Sequence, residues 1–315
     1  MRCLPSILVL KTEPLIVMPL MHMCGKRLTR ERTIMSKADT AMYNSNSTLY
    51  PGATHDLNKI VKTNLFLICP NNSGSTFLKG IMANSLNTWN LKKEGQHMAG
   101  FQGVSTSGIG AELLWATDKW LSYFTDETAY NWPQTKKAWY FTATALTPYA
   151  SVFFTKSPPA IVWVEQLKQH FFNSKFIFMV RNPYAVVEGI VRRKQDKFPR
   201  QDILGMAATH IMKCFELQIT NIENHQDSLF FTYEDMCSTP DKIADQIAYF
   251  VPELNDLKMD TAIPVKGNYH EPLRNMNDQQ INNLSNDDLT EINHVFDRHA
   301  KYLRYFGYHR ISAFD

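Results

Sequence analysis

One stretch constrains the fold of this chain more than any other: Leu65-Phe66-Leu67-Ile68-Cys69-Pro70-Asn71-Asn72-Ser73-Gly74-Ser75-Thr76-Phe77-Leu78-Lys79-Gly80-Ile81-Met82. An unbroken apolar run of this kind reads as a strand buried on both faces, as in a parallel sheet. At Pro70 it gives way to small polar residues, after which Phe77, Leu78, Ile81 and Met82 recur at helical spacing. A strand, a tight Ser/Gly/Thr turn and a helix aim free backbone N–H groups at one point, which suits a phosphate or a related oxyanion. The hydroxyls of Ser73, Ser75 and Thr76 add donors at the same spot. The feature predicts an α/β enzyme with an oxyanion site at its first β-to-α corner.

The pattern repeats downstream. Apolar runs at 152–155, 175–180 and 228–232 read as further strands. Helical patterns fall at 75–86, 111–125, 135–147, 159–171, 201–223, 240–250 and 287–304, with a loop at 260–275. After the strand at 175–180, Asn182 suits a helix N-cap and Pro183 the first helical position, so another helix opens there. Alternating strands and helices imply one central parallel sheet flanked by helices. Residues 36–58 are rich in Ser, Asn, Thr, Pro and Gly without periodicity and read as a linker. The expected organisation is therefore a disordered extension and linker over 1–58 and one catalytic domain over 59–315.

A net charge of +3 over 315 residues is too balanced for a nucleic-acid binder. The cysteines Cys3, Cys24, Cys69, Cys214 and Cys237 are odd in number and scattered, without metal spacing. They read as free thiols in a reducing compartment, which points to the cytoplasm. Residues 4–23 are apolar but interrupted by Lys11, Glu13 and Pro14, short of the ~20 residues a membrane span needs. Their flanking charges fit a signal peptide poorly. The plainer reading is a tail or upstream extension, with Met35 or Met42 as a more natural start. Asn71-Asn72-Ser73 is also a glycosylation sequon, and a glycan there would block the turn, which argues against secretion.

Which oxyanion the corner binds is narrowed by what it lacks. A phosphate-binding loop of nucleoside triphosphatases carries a lysine after its last glycine, and here Gly74 is followed by Ser75. A kinase-type phosphotransferase is thus disfavoured. Arg181 stands at the carboxyl end of a buried strand, where ligands of open α/β sheets bind. Later come Phe231-Thr232-Tyr233-Glu234-Asp235-Met236 and a Lys266-Gly267 pair.

In this order and on these elements, the motifs resemble the nucleotide-binding signature of sulfotransferases that use 3′-phosphoadenylyl sulfate (PAPS). Residues 71–77 resemble that family's Pro-Lys-Ser-Gly-Thr-Thr-Trp loop, Arg181-Asn182-Pro183 its Arg-Asn-Pro, and Tyr233-Glu234-Asp235 its Tyr-Glu-Asp. Lys266-Gly267 falls where the family has a late Lys-Gly. The resemblance spans about 65 to 270 and implies a P-loop-like three-layer fold with PAPS as co-substrate and no metal. It implies that Ser73, Gly74, Ser75 and Thr76 cradle the 5′-phosphosulfate. Arg181 would grip the 3′-phosphate with a guanidinium fork, and Lys266 and Gly267 would close over it. Phe77 would stack on adenine, and Tyr233 would lie against the same base.

The chain departs from the family in three places. Asn72 stands where the loop carries Lys or Arg, and Gly189 stands where a serine binds the 3′-phosphate. Pro158, in Lys156-Ser157-Pro158-Pro159, falls where the cytosolic branch keeps a catalytic histidine. The Lys-Ser-Pro form looks like the carbohydrate branch, which takes its base from a glutamate after the first helix. Sulfuryl transfer needs a base for the acceptor proton and a cation for the bridging oxygen. Lys156 is the candidate cation, ahead of a solvated Lys79. Glu94 is the first candidate base and His97 the second, with their packing as mere loop residues the rival reading. His170 reads as packed. Arg192 and Arg193 are either phosphate contacts or a solvated basic face. Glu234 and Asp235 read as capping residues.

The implied reaction is transfer to a hydroxyl or amine of a small-molecule acceptor. Trp115, Trp120, Tyr123, Tyr130, Trp132, Trp139 and Tyr140 are candidate acceptor lining, with core packing as the alternative. A carbohydrate sulfotransferase and a non-catalytic nucleotide-binding or scaffold protein of the same fold are the alternatives. The sequence leaves the oligomeric state open.

Overall fold

The computed structural model describes residues 18–22, 29–33, 57–98, 112–265 and 269–312. The chain divides into two compact units, Met1–Thr54 and His55–Asp315. In the first, strand β1 (Met18–His22) pairs antiparallel with β2 (Thr29–Thr33).

The second unit is built on a five-stranded sheet. Its strands are β3 (Thr63–Ile68), β4 (Thr88–Asn90), β5 (Val152–Lys156), β6 (Ser174–Val180) and β7 (Leu229–Thr232). They lie in the order β4-β5-β3-β6-β7, every neighbouring pair parallel. The expected central parallel sheet is found. Its central strands are apolar on both faces because both are covered. Phe66, Ile68, Phe153, Phe176, Phe178 and Val180 enter one core, and Leu65, Leu67, Phe154, Ile177 and Met179 the other. Each such side chain contributes roughly 1.5–3 kcal/mol of apolar burial.

The first core is closed by helices α1 (Pro183–Lys194) and α2 (Arg200–Asn224), which bring Val186, Val187, Ile190, Ile203 and Ile211. The second is closed by α3 (Ser75–Asn84) and α4 (Pro240–Phe250), through Leu78, Ile81, Met82, Ile243 and Ile247. Three layers result. Asn182 caps α1 as expected, its side chain accepting from the Tyr184 N–H at 3.0 Å, with Pro183 in the first turn.

Several expected boundaries shift for local reasons. The helix expected over 111–125 begins only at Asp118, because Leu113 has φ +67 and residues 112–116 form turns. The one expected over 135–147 runs Trp132–Thr142, capped by Asn131 and ended by extended Ala143. The 159–171 segment splits into a 3₁₀ turn at Pro158–Val162 and a helix at Val164–His170. The terminal helix is Asn286–Phe296, a 3₁₀ turn, then Ala300–Tyr305. The 260–275 loop contains a short antiparallel pair, Ile263–Val265 with Tyr269–Glu271. Among the described residues, no helix is long and apolar enough to cross a membrane.

Candidate active site

The register of the sheet brings the chemistry-bearing residues to one edge. Leu67 pairs with Lys156 and with Ile177, and Val180 pairs with Thr232. Lys156 thus ends β5, while Cys69, Arg181 and Tyr233 each follow directly after a strand. That carboxyl edge is where open α/β sheets bind ligands. A cleft of about 1050 Å³ opens there, lined among others by Asn71, Asn72, Gly74, Ser75, Thr76, Phe77, Glu94, Gln96, His97, Lys156, Arg181 and Tyr233.

The floor of the cleft is the start of α3. No side chain caps this helix, and its N-cap Gly74 is left-handed with φ +78. The first-turn N–H groups and the helix dipole therefore face the cleft, an arrangement that attracts anions. A Cβ at Gly74 would stand 2.3 Å from Tyr233 Cδ2, so conformation and space both require glycine. The far side of the loop is held by Trp115, whose Nε1–H donates to Asn71 Oδ1 at 2.8 Å. Trp115 is itself buried edge-to-face on His210, 5.4 Å between centroids.

Arg181 is 5% exposed and its guanidinium lies 4.2 Å from the centre of the Tyr233 ring. Nε donates to Asn277 Oδ1 at 2.7 Å, Nη1 to the Asn72 carbonyl at 3.0 Å, and Nη2 to Gln280 Oε1. Three of its five N–H groups are used, leaving two. Burial presses against the guanidinium charge and Tyr233 and Glu234 oppose that, so an incoming anion relieves the cost.

On the opposite side, the Lys156 ammonium donates to Glu94 Oε1. Gln96 Nε2 donates to Glu94 Oε2 at 2.8 Å, and His97 Nε2 lies 3.9 Å from the same oxygen. Burial works to raise the Glu94 carboxyl, but Lys156, Gln96 and His97 together hold it below its ordinary value. Lys79 is half-buried, and its ammonium donates to the Lys92 carbonyl at 3.0 Å. Burial, reinforced by the Lys156 charge, draws it down to about 8.

The profile of the sulfotransferase family matches residues 64–253. The chain belongs to the sulfotransferase family. Sulfotransferase STF9 from Mycobacterium avium aligns over 86% of this chain and 82% of its own, at 12% identity and a TM-score of 0.51. The sulfotransferase domain of the Synechococcus PCC 7002 olefin synthase aligns over 79% and 96%, at 18% identity and 0.45. Mouse sulfotransferase SULT7A1, solved in complex with PAP, aligns over 90% and 95%, at 11% identity and 0.39. Likeness at such identities concerns the fold alone, and the first of the three carries it. Comparison with curated protein sequences gives no match.

Most of the site residues expected of this sulfotransferase meet in the one cleft, and several do so in a different posture. Ser73 is fully buried, and its hydroxyl donates to the Pro70 carbonyl at 2.8 Å, so it braces the loop instead of offering a donor. Ser75 is buried with its hydroxyl on the Cys69 thiol, which burial pushes up to about 11. Of the three hydroxyl-bearing loop residues, Thr76 is the exposed one. Phe77 packs largely into the core under the sheet. Tyr233 does not lie open for a base: it is 4% exposed, wedged between Gly74 and Arg181, with its hydroxyl donating to the Arg274 carbonyl at 2.7 Å. Gly189 is buried on α1 behind Asn72 and Gln280. Lys266 and Gly267 lie outside the described residues.

The aromatic acceptor lining is corrected. Trp115, Trp120, Trp132, Trp139 and Tyr140 are buried in the core, and Tyr123 is exposed away from the cleft. Their rings fill space between helices by edge-to-face and stacked contacts, as at Trp132 with Trp139 and Trp163. His170 stacks on Trp132, packed as expected. Lys79, expected to be solvated, is not. Asp235 completes a capping box with Thr232, and Glu234 accepts from the Asn182 N–H and Tyr308. Arg192 and Arg193 both line the cleft, Arg192 donating to Glu188 at 2.9 Å.

Sequence reasoning missed Gln96, Asn277, Gln280 and Glu188. Gln96 lay inside the stretch that drew notice for Glu94 and His97. Gln280 is 99 residues from the arginine it contacts, and no local motif announces it. Among the described residues, no three His, Cys, Asp or Glu side chains come together as a metal site.

Proposed function

We propose that this sulfotransferase moves a sulfuryl group from PAPS to a hydroxyl or amine of a small-molecule acceptor. The observation that carries the reading is the convergence of three strand ends on one cleft. An uncapped helix N-terminus follows β3, Arg181 follows β6, and the Lys156–Glu94 pair closes β5. The donor nucleotide has two anionic ends, and the cleft has a separate anion-attracting feature for each. The cradle fits such a group: the loop leaves no room for a Cβ at Gly74, and the side-chain polar atoms of Asn72 are buried without a partner.

On this reading the N–H groups at the start of α3, with the Thr76 hydroxyl, hold the 5′-phosphosulfate, and Arg181 holds the 3′-phosphate. Glu94 takes the proton from the acceptor as the acceptor oxygen or nitrogen bonds to sulfur. The bond from sulfur to the bridging phosphate oxygen breaks, and adenosine 3′,5′-bisphosphate leaves with that electron pair. Lys156 stabilises the charge appearing on the bridging oxygen, the role left open by neutral Asn72. Its present contact with Glu94 keeps the carboxylate ionised and places acid–base and electrostatic groups together. His97 is the alternative base. The buried, unpaired thiols of Cys69 and Cys214 support a reducing, cytoplasmic setting.

A carbohydrate acceptor is the second reading, and the lining of the cleft favours it. With the tryptophans withdrawn into the core, the cleft is lined by Gln96, His97, Glu112 and Arg193 beside Leu113, Pro158 and Pro159. Such walls recognise hydroxyls better than aromatic planes. Turnover of labelled PAPS against a panel of phenols, amines and sugars tests both. Label in a phenol or amine supports the first reading, label in sugars alone the second, and no transfer to any acceptor defeats the enzymatic assignment.

A further inference from the structure

Glu94 and His97 flank a single 3₁₀ turn, Gly95–His97, with Gln96 between them. The His97 N–H closes the turn by donating to the Glu94 carbonyl at 2.8 Å. The turn is pressed onto the core. Trp139 Nε1–H donates to the Gly95 carbonyl at 3.2 Å, and a Cβ at residue 95 would stand 2.6 Å from Trp139 Cζ2. On this anchored backbone Gln96 is 3% exposed and still lines the cleft. Its amide nitrogen donates to Glu94 Oε2 at 2.8 Å, while the Lys156 ammonium donates to Oε1. The carboxylate is thus gripped at both oxygens.

The Gln96 amide has one workable orientation. The ionised Glu94 carboxylate offers acceptors alone, so the amide nitrogen must face it. Gln96 Oε1 is left buried without a partner, and turning the amide to relieve that cost would set its oxygen against the carboxylate. The same nitrogen lies 3.4 Å from His97 Nε2, nearer than the 3.9 Å between that ring atom and Glu94 Oε2. An amide N–H can only donate, so Nε2 supplies the lone pair and the neutral ring carries its proton on Nδ1. The one basic lone pair of His97 is therefore occupied.

We propose that Gln96 is a positioning residue that makes Glu94, and not His97, the base for the acceptor proton. The proposal rests on the reading that this cleft transfers a sulfuryl group, and it decides between the two bases that reading allows. The other charged or titratable groups that act on Glu94 come from separate elements. They are Lys156 at the end of β5, Lys79 on α3, Arg193 on α1 and the Cys69 thiol after β3. A substitution at residue 96 leaves all four in place.

Gln96→Met keeps side-chain volume and removes both N–H donors, so it makes the test. With labelled PAPS and an acceptor that the wild type sulfates, kcat is expected to fall on the order of tenfold, with little change in KM for either substrate. The acid limb of kcat/KM is expected to move to higher pH, because a donor to the ionised carboxylate is gone. Gln96→Glu sets a like charge there and is expected to move the limb further. Adenosine 3′,5′-bisphosphate is expected to bind Gln96→Met as it binds wild type, and loss of that binding would mark a merely structural role. In a Glu94→Gln background, Gln96→Met is expected to cost nothing more, and a second tenfold loss there would contradict the positioning role. Nitrogen NMR of the His97 ring, assigned through His97→Gln, reads the tautomer without turnover. Nδ1–H is expected in wild type, and Nε2–H there overturns the proposal. An unmoved limb and an unchanged kcat in Gln96→Met also overturn it, while turnover by the wild type leaves the function reading intact. A wild type that sulfates no acceptor overturns the function reading, and this proposal with it.

Discussion

The Lys156 ammonium donates directly to the Glu94 carboxylate across 62 residues of chain, joining the end of the β5 strand to the loop after β4. The pair sets the first prediction. Burial would raise the Glu94 carboxyl, but Lys156 and Gln96 hold it below the ordinary 4.5, so it is ionised at neutral pH and stays so on acidification. The acid limb of kcat/KM is expected below pH 4.5, and Glu94→Gln is expected to lower kcat by roughly 10²–10⁴. A limb near pH ~6.5 with little effect of Glu94→Gln would point to an imidazole base instead.

Gly74→Ala is expected to abolish nucleotide binding and lower Tm. Left-handed φ costs an L-residue about 1–2 kcal/mol, and the added methyl falls 2.3 Å from the Tyr233 ring. Gly205→Ala is the contrast, since its Cβ meets nothing nearer than 3.6 Å inside a helix. It is expected to stabilise by about 0.5–1 kcal/mol. Thermal melts with and without adenosine 3′,5′-bisphosphate check both.

His210 predicts an acid-dependent loss of stability. Its ring is buried, Nδ1 accepts from the Ala116 N–H at 3.0 Å, and burial pulls it down to about 3. The unfolded chain binds this proton at the ordinary 6.5 while the folded one does not. Stability therefore falls as pH drops from 6.5 towards 3, by up to about 1.4 kcal/mol per pH unit. Urea denaturation between pH 5 and 7 should show a shallower slope in His210→Asn than in wild type. An unchanged slope would assign the effect to other groups.

Trp115→Phe keeps the packing on His210 and removes the donor to Asn71. It is expected to cost about 1 kcal/mol of stability and to raise the KM for the donor more than it lowers kcat. A fall confined to kcat would place Trp115 in the chemical step.

The same contacts show why parts of the site were legible in the sequence. The strand-turn-helix at 63–84 and the Arg181-Asn182-Pro183 corner are local: apolar runs, a left-handed glycine and an N-cap write themselves into consecutive residues. Parallel pairing then forces those corners to one edge. Side-chain posture is not local. Whether Tyr233 is open to a ligand depends on Gly74 and Arg181, each from a different strand end. Whether Trp139 lines a cavity depends on Phe153 and Phe171. Gln280 reaches Arg181 from a helix near the other end of the domain. β4, only three residues long, carries too short a pattern to read.

The central claim is that the helix start after Gly74 and the guanidinium of Arg181 hold opposite ends of one nucleotide. Calorimetric titration with adenosine 3′,5′-bisphosphate tests it most directly, in wild type, Gly74→Ala and Arg181→Ala. The account predicts a single saturable site in wild type that both substitutions abolish, and no comparable binding of ATP with magnesium. Undiminished binding in either variant, or preference for ATP with magnesium, would contradict it.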